Sequence, residues 1–453
     1  MKKKHLSARE AALLALESVL EEGAYVNLAL AKVLSGHALD ERDRRLVAEI
    51  TYGVVTYKLT LDWIIMQLTG RPADKLDRPV LLVLYIGLYQ LFYLDKIPAP
   101  AAVHTSVELI KKTKKRALAG FVNGVLRGAL RRKNNLPWPD KKEENTAEYL
   151  SLRYAHPLWM VKRWLDRLGP EETEKLLAAN NMAPPVTIRV NTLRTDRESL
   201  LSRLAAEGVE AEASGITPEA IIIKSSPGLG SLASYKDGLF QVQGESAILA
   251  SRILAPAPGS RVLDMCSAPG GKTTHLAALM QNRGEIVALD IYPHRLELVK
   301  ANARRLGAAI ITTVLLDGRE ITPGQYGLFN YILLDAPCTC LGVIRRKPDI
   351  KWRRREKEIG ILAALQKELL ERAAAVLAPD GVLVYSTCTN EPEETTEQID
   401  SFLERHPEFT SSPFTVSLPP TRRQQSVYGG IQLYPHVHGV DGFFLARLRK
   451  AGR

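Results

Sequence analysis

Three of the four cysteines stand where short apolar, strand-like runs end: Arg261–Cys266 (RVLDMC), Tyr331–Cys338 (YILLDAPC) and Gly381–Cys388 (GVLVYSTC). A parallel α/β sheet opens its ligand crevice at the carboxyl ends of its strands. The spacing therefore predicts that Cys266, Cys338 and Cys388 reach one crevice, where a thiolate acts on a bound substrate. Cys340 follows Cys338 in the same loop, and the first 265 residues hold no cysteine. The other uses of cysteine fit less well. A single buried thiol serves as a small apolar core residue, but three at strand ends form a pattern. The order Cys-x71-Cys-x-Cys-x47-Cys contains no CxxC pair, so no zinc or other metal site is expected. Four cysteines in 453 residues, with no signal peptide at the start, indicate a reducing cytoplasm rather than structural disulfides.

The elements that must position these thiols change character along the chain. Residues 1–135 read as a helical bundle. Ser7–Glu22, Arg44–Leu68, Asp77–Leu94, Val103–Thr113 and Leu118–Leu130 carry apolar residues at helical spacing. Ser7 and Glu10 form a capping-box pair, and Pro79 falls in a first turn, where a helix tolerates it. Residues 136–235 read as a Pro-containing polar linker followed by a small α+β module. From 236 to 453, apolar runs of four to six residues alternate with helical stretches, the signature of βαβ units and a mostly parallel sheet. The fold class expected is thus multidomain: an all-α bundle, a small α+β module and a Rossmann-like α/β domain. No apolar run approaches the roughly 20 residues that span a bilayer, so no membrane is expected; a monomer is the default.

Charge points to a partner. The net charge is +11 and the isoelectric point is near 9.3, which favours polyanions, of which nucleic acid is the commonest in the cytoplasm, with acidic lipid or plain solubility as the other readings of charge alone. Lys111–Lys133 holds nine basic residues and no acidic one, with Phe121 and Asn123 between them. A second basic run, Arg345–Arg355, interleaves cations with Trp352. It suits either an RNA contact with a stacking face or a basic segment that Trp352 anchors in the core.

The run Val262–His275 reads as a strand, a Gly-rich turn and a helix start. A phosphate-binding Walker loop requires glycine at position 266, which is Cys266, and GxGxxG is absent. What remains is a nucleoside-binding turn without the phosphate-cradling spacing. Asp290 ends the next strand, 18 residues after Lys272, near the spacing at which a carboxylate grips ribose hydroxyls. Asp317 ends the strand after it, placed to meet the edge of a base, and Asp335 ends the one before Cys338. Each acid alone reads equally well as a helix N-cap. Together they match a ligand with a ribose and a base but no phosphate, such as S-adenosylmethionine.

The strings SAPGGKTTH, LDAPC, YSTCTNEPEE, DGFFLARL and Gln241–Ser246 (QVQGES) resemble, in order, the motifs of RNA 5-methylcytosine methyltransferases. The helical Ser7–Lys133 segment resembles the NusB-type RNA-binding domain. That fusion resembles the bacterial Sun/Fmu-type family of 16S ribosomal RNA cytosine-C5 methyltransferases, with nearly the whole chain covered. The resemblance implies S-adenosylmethionine as cofactor, 16S ribosomal RNA as partner, and a covalent adduct between a cysteine and carbon 6 of cytosine. It assigns the nucleophile to Cys388 and product release to Cys338. It lines the cofactor with Cys266, Ser267, Ala268, Pro269, Gly270, Gly271 and Lys272, puts Asp290 on the ribose and Asp317 on the adenine edge, and sets Asp335 at the methionine side near the target base.

One position departs from the family's usual Asp-Ala-Pro-Cys-Ser-Gly: here Cys340 stands in place of the glycine. Either the backbone there is not in a glycine-only conformation or strain is tolerated, and Cys340 is expected to be a bystander. Two other readings stay open. An RNA-binding factor with a vestigial catalytic fold would not need to keep both Cys338 and Cys388, and a transfer-RNA substrate would keep the same catalytic motifs.

Overall fold

The structure is a computed structural model and describes residues 6–140, 145–226, 228–416 and 430–452. Packing divides it into two compact units that cut across the three sequence segments. One comprises residues 1–182 with 344–353, the other 183–343 with 354–453.

In the first unit, helices Ala8–Leu20, Val26–Gly36, Glu41–Thr69, Arg78–Tyr93, Ala99–Lys111 and Ala119–Arg132 form the bundle. The capping box is in place: Ser7 Oγ accepts from the Glu10 amide, and Glu10 accepts from the Ser7 amide at 3.0 Å. Arg78–Tyr93 is the central helix, with every residue from Val80 to Leu91 buried. Helix Ala99–Lys111 starts four residues before the expected Val103, because Pro98 precedes it and Pro100 lies in its first turn. Helices Thr146–Tyr154 and Leu158–Asn181 complete the unit.

The segment Ile344–Arg353 belongs to this unit and corrects the reading of Trp352 as an RNA-stacking face. The Trp352 indole Nε1 donates to the Val55 carbonyl at 2.7 Å, and its ring packs against the bundle core. Lys351, only 1% exposed, donates from Nζ to the Thr56 carbonyl at 2.8 Å and to Asn181 Oδ1 at 3.0 Å. Helix Glu41–Thr69 departs from helical dihedrals at Tyr57, immediately after the two carbonyls that these side chains take, so inserted donors account for the kink. An indole with an apolar body and one satisfied N–H is an anchor. No helix among the described residues is long and apolar enough to cross a membrane.

The second unit contains two sheets. Strands β1 (Val186–Val190), β2 (Glu210–Ala213), β3 (Ala220–Ser225) and β4 (Phe240–Val242) pair antiparallel in the order β2-β3-β1-β4. The fourth strand therefore comes from beyond residue 235. The larger sheet holds β5 (Arg261–Asp264), β6 (Glu285–Asp290), β7 (Ile311–Leu315), β8 (Phe329–Asp335), β9 (Leu377–Thr387), β10 (Phe409–Ser411), β11 (Gly430–Leu433) and β12 (Phe443–Lys450). Its order is β10-β12-β9-β8-β5-β6-β7, with β11 also on β12. The five strands from β9 to β7 run parallel, while β10, β11 and β12 are antiparallel additions. From β5 the chain winds outward through β6 and β7, then crosses back to β8 and β9. That reversal is the switch point at which such sheets open a crevice.

Candidate active site

Four strands deliver side chains to the crevice. β5 ends at Asp264, β6 at Asp290 and β8 at Asp335; Cys388 directly follows β9. After β5 the chain turns through Cys266–Gly270 into helix Gly271–Leu279. Ser267 closes the turn, its amide and hydroxyl both donating to the Leu289 carbonyl at 2.8 and 2.9 Å, while the Gly270 amide donates to Ser267 O at 2.7 Å. Ala268 and Pro269 are joined by a cis peptide, and Asn302 Nδ2 donates to the Pro269 carbonyl. Gly270 has φ 95°, and a Cβ there would meet Val299 Cα at 3.0 Å. Only glycine suits both conditions.

The small sheet, to which the sequence assigns no function, holds this turn from behind. Arg189 of β1 is fully buried and donates to Gln243 Oε1, to the Gly271 carbonyl and to Thr274 Oγ1. The module is thereby fixed to the Gly-rich turn.

Lys272 Nζ donates to Asp335 Oδ2 at 2.7 Å, and Ser386 Oγ donates to Asp335 Oδ1 at 2.7 Å. Burial disfavours the Lys272 charge, but Asp335, and after it Cys388, outweigh burial and raise its pKa. Asp290, 6% exposed, accepts from the Tyr292 amide at 3.0 Å and pairs with Arg295 at 3.4 Å. Asp317 lies two residues beyond β7, caps a short 3-10 turn and accepts from the Arg319 amide and guanidinium.

Asp264 escaped the sequence reading, although it ends the first strand of the motif. It is 1% exposed; Oδ2 accepts from Thr273 Oγ1 at 2.7 Å, and Oδ1 is buried without a partner. Burial pushes its carboxyl up to about 7, against the opposing Thr273 hydrogen bond. A raised folded pKa means that the fold holds this proton more tightly than the unfolded chain. The associated stability is full below about pH 4 and is lost as pH rises through about 7. In thermal unfolding between pH 5 and 8, Asp264→Asn is therefore expected to gain on the wild type as pH rises. A pH-independent difference would contradict the assignment.

Of the three thiols expected at the crevice, Cys338 and Cys388 meet, and Cys340 joins them. Cys338 Sγ lies 3.4 Å from Cys388 Sγ and 3.9 Å from Cys340 Sγ, and all three sulfurs fall within 4.8 Å of one another. Cys266 stays outside this cluster, on the Gly-rich turn, with its thiol pushed up by burial and by Asp264. Cys338 is buried; Cys340 and Cys388 are partly exposed. Thiol–thiol hydrogen bonds and burial raise the Cys338 pKa. For Cys388 the Cys338 bond acts downward, but Cys340 and burial outweigh it and the net direction is up. Cys340 has φ 63°, so strain at the position where the family keeps glycine is tolerated here rather than avoided.

A buried polar network holds the Cys338 loop. Glu394, fully buried, accepts from the Thr339 amide at 2.8 Å, from Thr339 Oγ1, and from Gln366 Nε2 at 3.0 Å. Gln366 also donates to Pro337 O, and Tyr385 donates to Gln366 and to Glu394 O. Arg354 donates to the carbonyls of Thr339 and Cys338. None of these residues carried a local signal beyond the Glu391–Glu394 string, because their partners lie 9 to 55 residues away.

In the helical unit, Lys111, Lys112, Lys114, Arg116, Arg127, Arg131 and Arg132 are exposed, as is Phe121. Lys111, Lys112 and Lys115 pair with Glu108, Glu10 and Asp77. The stretch is a basic face with an aromatic in it, as expected.

Comparison with known proteins yields consistent matches. A family model described as 16S rRNA methyltransferase RsmB/F matches residues 251–449. The NusB family model matches 6–131, and the ferredoxin-like domain of RsmF/B-like methyltransferases matches 156–228. The chain is 37% identical over 452 residues to the probable ribosomal RNA small subunit methyltransferase B of Bacillus subtilis, covering 99% of this chain and all of that one. It is 36% identical over 451 residues to the ribosomal RNA small subunit methyltransferase B of Klebsiella pneumoniae, covering 99% of each. Among solved structures, PH0851 superposes with TM-score 0.83 at 30% identity, over 99% of this chain and 100% of that one. NSun6 from Pyrococcus horikoshii, solved with SFG, superposes with TM-score 0.58 at 26% identity, over 64% of this chain and 97% of that one.

Proposed function

The chain belongs to the RsmB/F family of 16S rRNA methyltransferases, and from that premise we propose that it methylates carbon 5 of a cytosine in 16S ribosomal RNA through a covalent Cys388 adduct. The observation that carries this reading is the pair of thiols 3.4 Å apart at the ends of β8 and β9, beside the Lys272–Asp335–Ser386 chain.

The crevice suits S-adenosylmethionine, of which the SFG bound by NSun6 is an analogue. The turn Cys266–Lys272 offers a glycine-containing backbone cradle, set in place where Gly270 packs against Val299. Asp264 Oδ1 is a buried acceptor without a partner, suited to an ammonium. Asp290 would hold the ribose hydroxyls, Asp317 the adenine edge and Asp335 the methionine side. When bound, this cofactor supplies the methyl group as a sulfonium.

The rest of the chemistry belongs to the chain. Carbon 5 of cytosine is a poor nucleophile, and a thiolate bonded to carbon 6 turns the ring into an enamine-like species that reacts at carbon 5. Cys388 forms that bond after losing its proton, and the Lys272 ammonium favours the thiolate. Asp335, as an acceptor, can take a hydrogen bond from the amino group of the ring and so orient the base. Once carbon 5 carries both a hydrogen and the methyl group, Cys338, as a thiolate whose own proton has passed to solvent, takes the carbon-5 proton, directly or through water. The carbon 5–carbon 6 double bond re-forms and the Cys388 thiolate leaves. The target base must stand out of its stack to reach Cys388, so a loop or single-stranded segment is the substrate, held by the basic face of Lys111–Lys133.

The test is to incubate 16S ribosomal RNA with the protein and S-adenosylmethionine, digest to nucleosides and assay for 5-methylcytidine. Its appearance supports the reading. Methylation of any other atom refutes it.

A further inference from the structure

Methyl transfer of this kind uses two thiols, yet the fold places a third among them. Cys340 occupies a left-handed conformation that glycine would adopt without strain, and its Sγ lies 3.9 Å from that of Cys338. We propose that Cys338, Cys340 and Cys388 form a three-thiolate binding site for a thiophilic d10 cation of the zinc type. In a tetrahedral zinc thiolate, bonds of about 2.3 Å set the sulfurs about 3.8 Å apart. The distances here, 3.4 Å, 3.9 Å and a third no longer than 4.8 Å, bracket that edge. Side-chain rotation that moves a sulfur by up to about 1 Å closes them on one ion.

The spacing along the chain lacks a CxxC pair, but topology supplies the proximity instead. Cys338 and Cys340 lie on the loop after β8, and Cys388 follows the neighbouring parallel strand β9. Burial of Cys338 beside two partly exposed thiols leaves an entry side and a fourth coordination position for solvent. Coordination releases three protons to solvent, and the resulting site carries one net negative charge. The Arg354 guanidinium, which donates to the Cys338 and Thr339 carbonyls, offsets it. Soft thiolate ligands select such cations over magnesium or calcium. A bound ion occupies both thiols needed for the chemistry, so it switches methyl transfer off. That last consequence rests on the proposed catalytic roles; binding itself does not.

The experiment is a titration of the reduced full-length protein with cadmium, read by thiolate-to-metal absorbance, with neither RNA nor S-adenosylmethionine present. One equivalent is expected to saturate the band. Cys340→Gly is expected to weaken binding at least tenfold, while Cys266→Ala leaves it unchanged. Cys340→Gly is also expected to keep its methyl transfer and lose inhibition by zinc, and a chelator without reductant restores the inhibited wild type. Absence of the band, or equal affinity in Cys340→Gly, overturns the proposal. An intact band with no methylation of any RNA sinks only the functional reading.

Discussion

Cys388→Ala is expected to lower methyl transfer at least about 10⁴-fold while leaving the fold and cofactor binding in place. Without the carbon-6 bond, carbon 5 has no route to nucleophilicity, and no neighbouring group replaces it. Cys338 is itself buried, and its bonds to Cys340 and Cys388 together with burial raise its thiol pKa. A 10⁴-fold loss corresponds to about 5.5 kcal/mol of transition-state stabilisation, the scale expected when a covalent nucleophile is removed. The structural cost is small, because Cys388 is partly exposed and its backbone carbonyl, not its thiol, holds the Gly342 amide at 3.0 Å. Single-turnover methyl transfer alongside thermal unfolding separates the two effects. Residual activity within tenfold of wild type would exclude the thiol as nucleophile.

Gly342→Ala is expected to cost about 3 kcal/mol of stability or more and to disable the site from outside it. The Gly342 amide donates to Cys388 O, and the Gly342 carbonyl accepts from the Gly442 amide at 2.8 Å. A Cβ at 342 would lie 2.1 Å from the Gly442 oxygen and 2.6 Å from its carbonyl carbon. Both are backbone atoms, so no side chain can swing away and one segment must move. Either shift displaces the loop after β8 or the turn carrying Cys388. Gly360→Ala is the control, since nothing lies within 4 Å of its Cβ position and it sits on the exposed face of helix Glu358–Val376. That change is expected to be neutral or to stabilise by about 0.5–1 kcal/mol. Urea unfolding of the three proteins checks both expectations.

Why some of this was legible in the sequence and some not follows from the range of the interactions. The alternation of apolar runs and helical stretches after residue 236 reports βαβ units because parallel strands are buried on both faces and read as continuous apolar runs. The ends of those runs locate Asp290, Asp335, Cys338 and Cys388 at the crevice with no need to know strand order. Which thiols meet does depend on order. β8 neighbours β9 through a crossover of more than 40 residues, and this brings Cys340, not Cys266, to the pair. The antiparallel strands β10 and β11 are short edge additions with little pattern of their own. Arg189 and Glu394 act through partners far along the chain, and a charged residue bound for burial looks locally like any surface charge. Trp352 illustrates the converse. Its setting among cations invites an RNA contact, and only the carbonyls left free at Tyr57 explain why it turns inward.

In the proposed mechanism Cys388 bonds the base and Cys338 releases it. The most direct measurement is a denaturing gel of wild type, Cys388→Ala and Cys338→Ala after incubation with S-adenosylmethionine and 16S ribosomal RNA. A covalent protein–RNA band that accumulates with Cys338→Ala and is missing with Cys388→Ala is the predicted result. A band that persists with Cys388→Ala and disappears with Cys338→Ala would reverse the two roles and contradict the account.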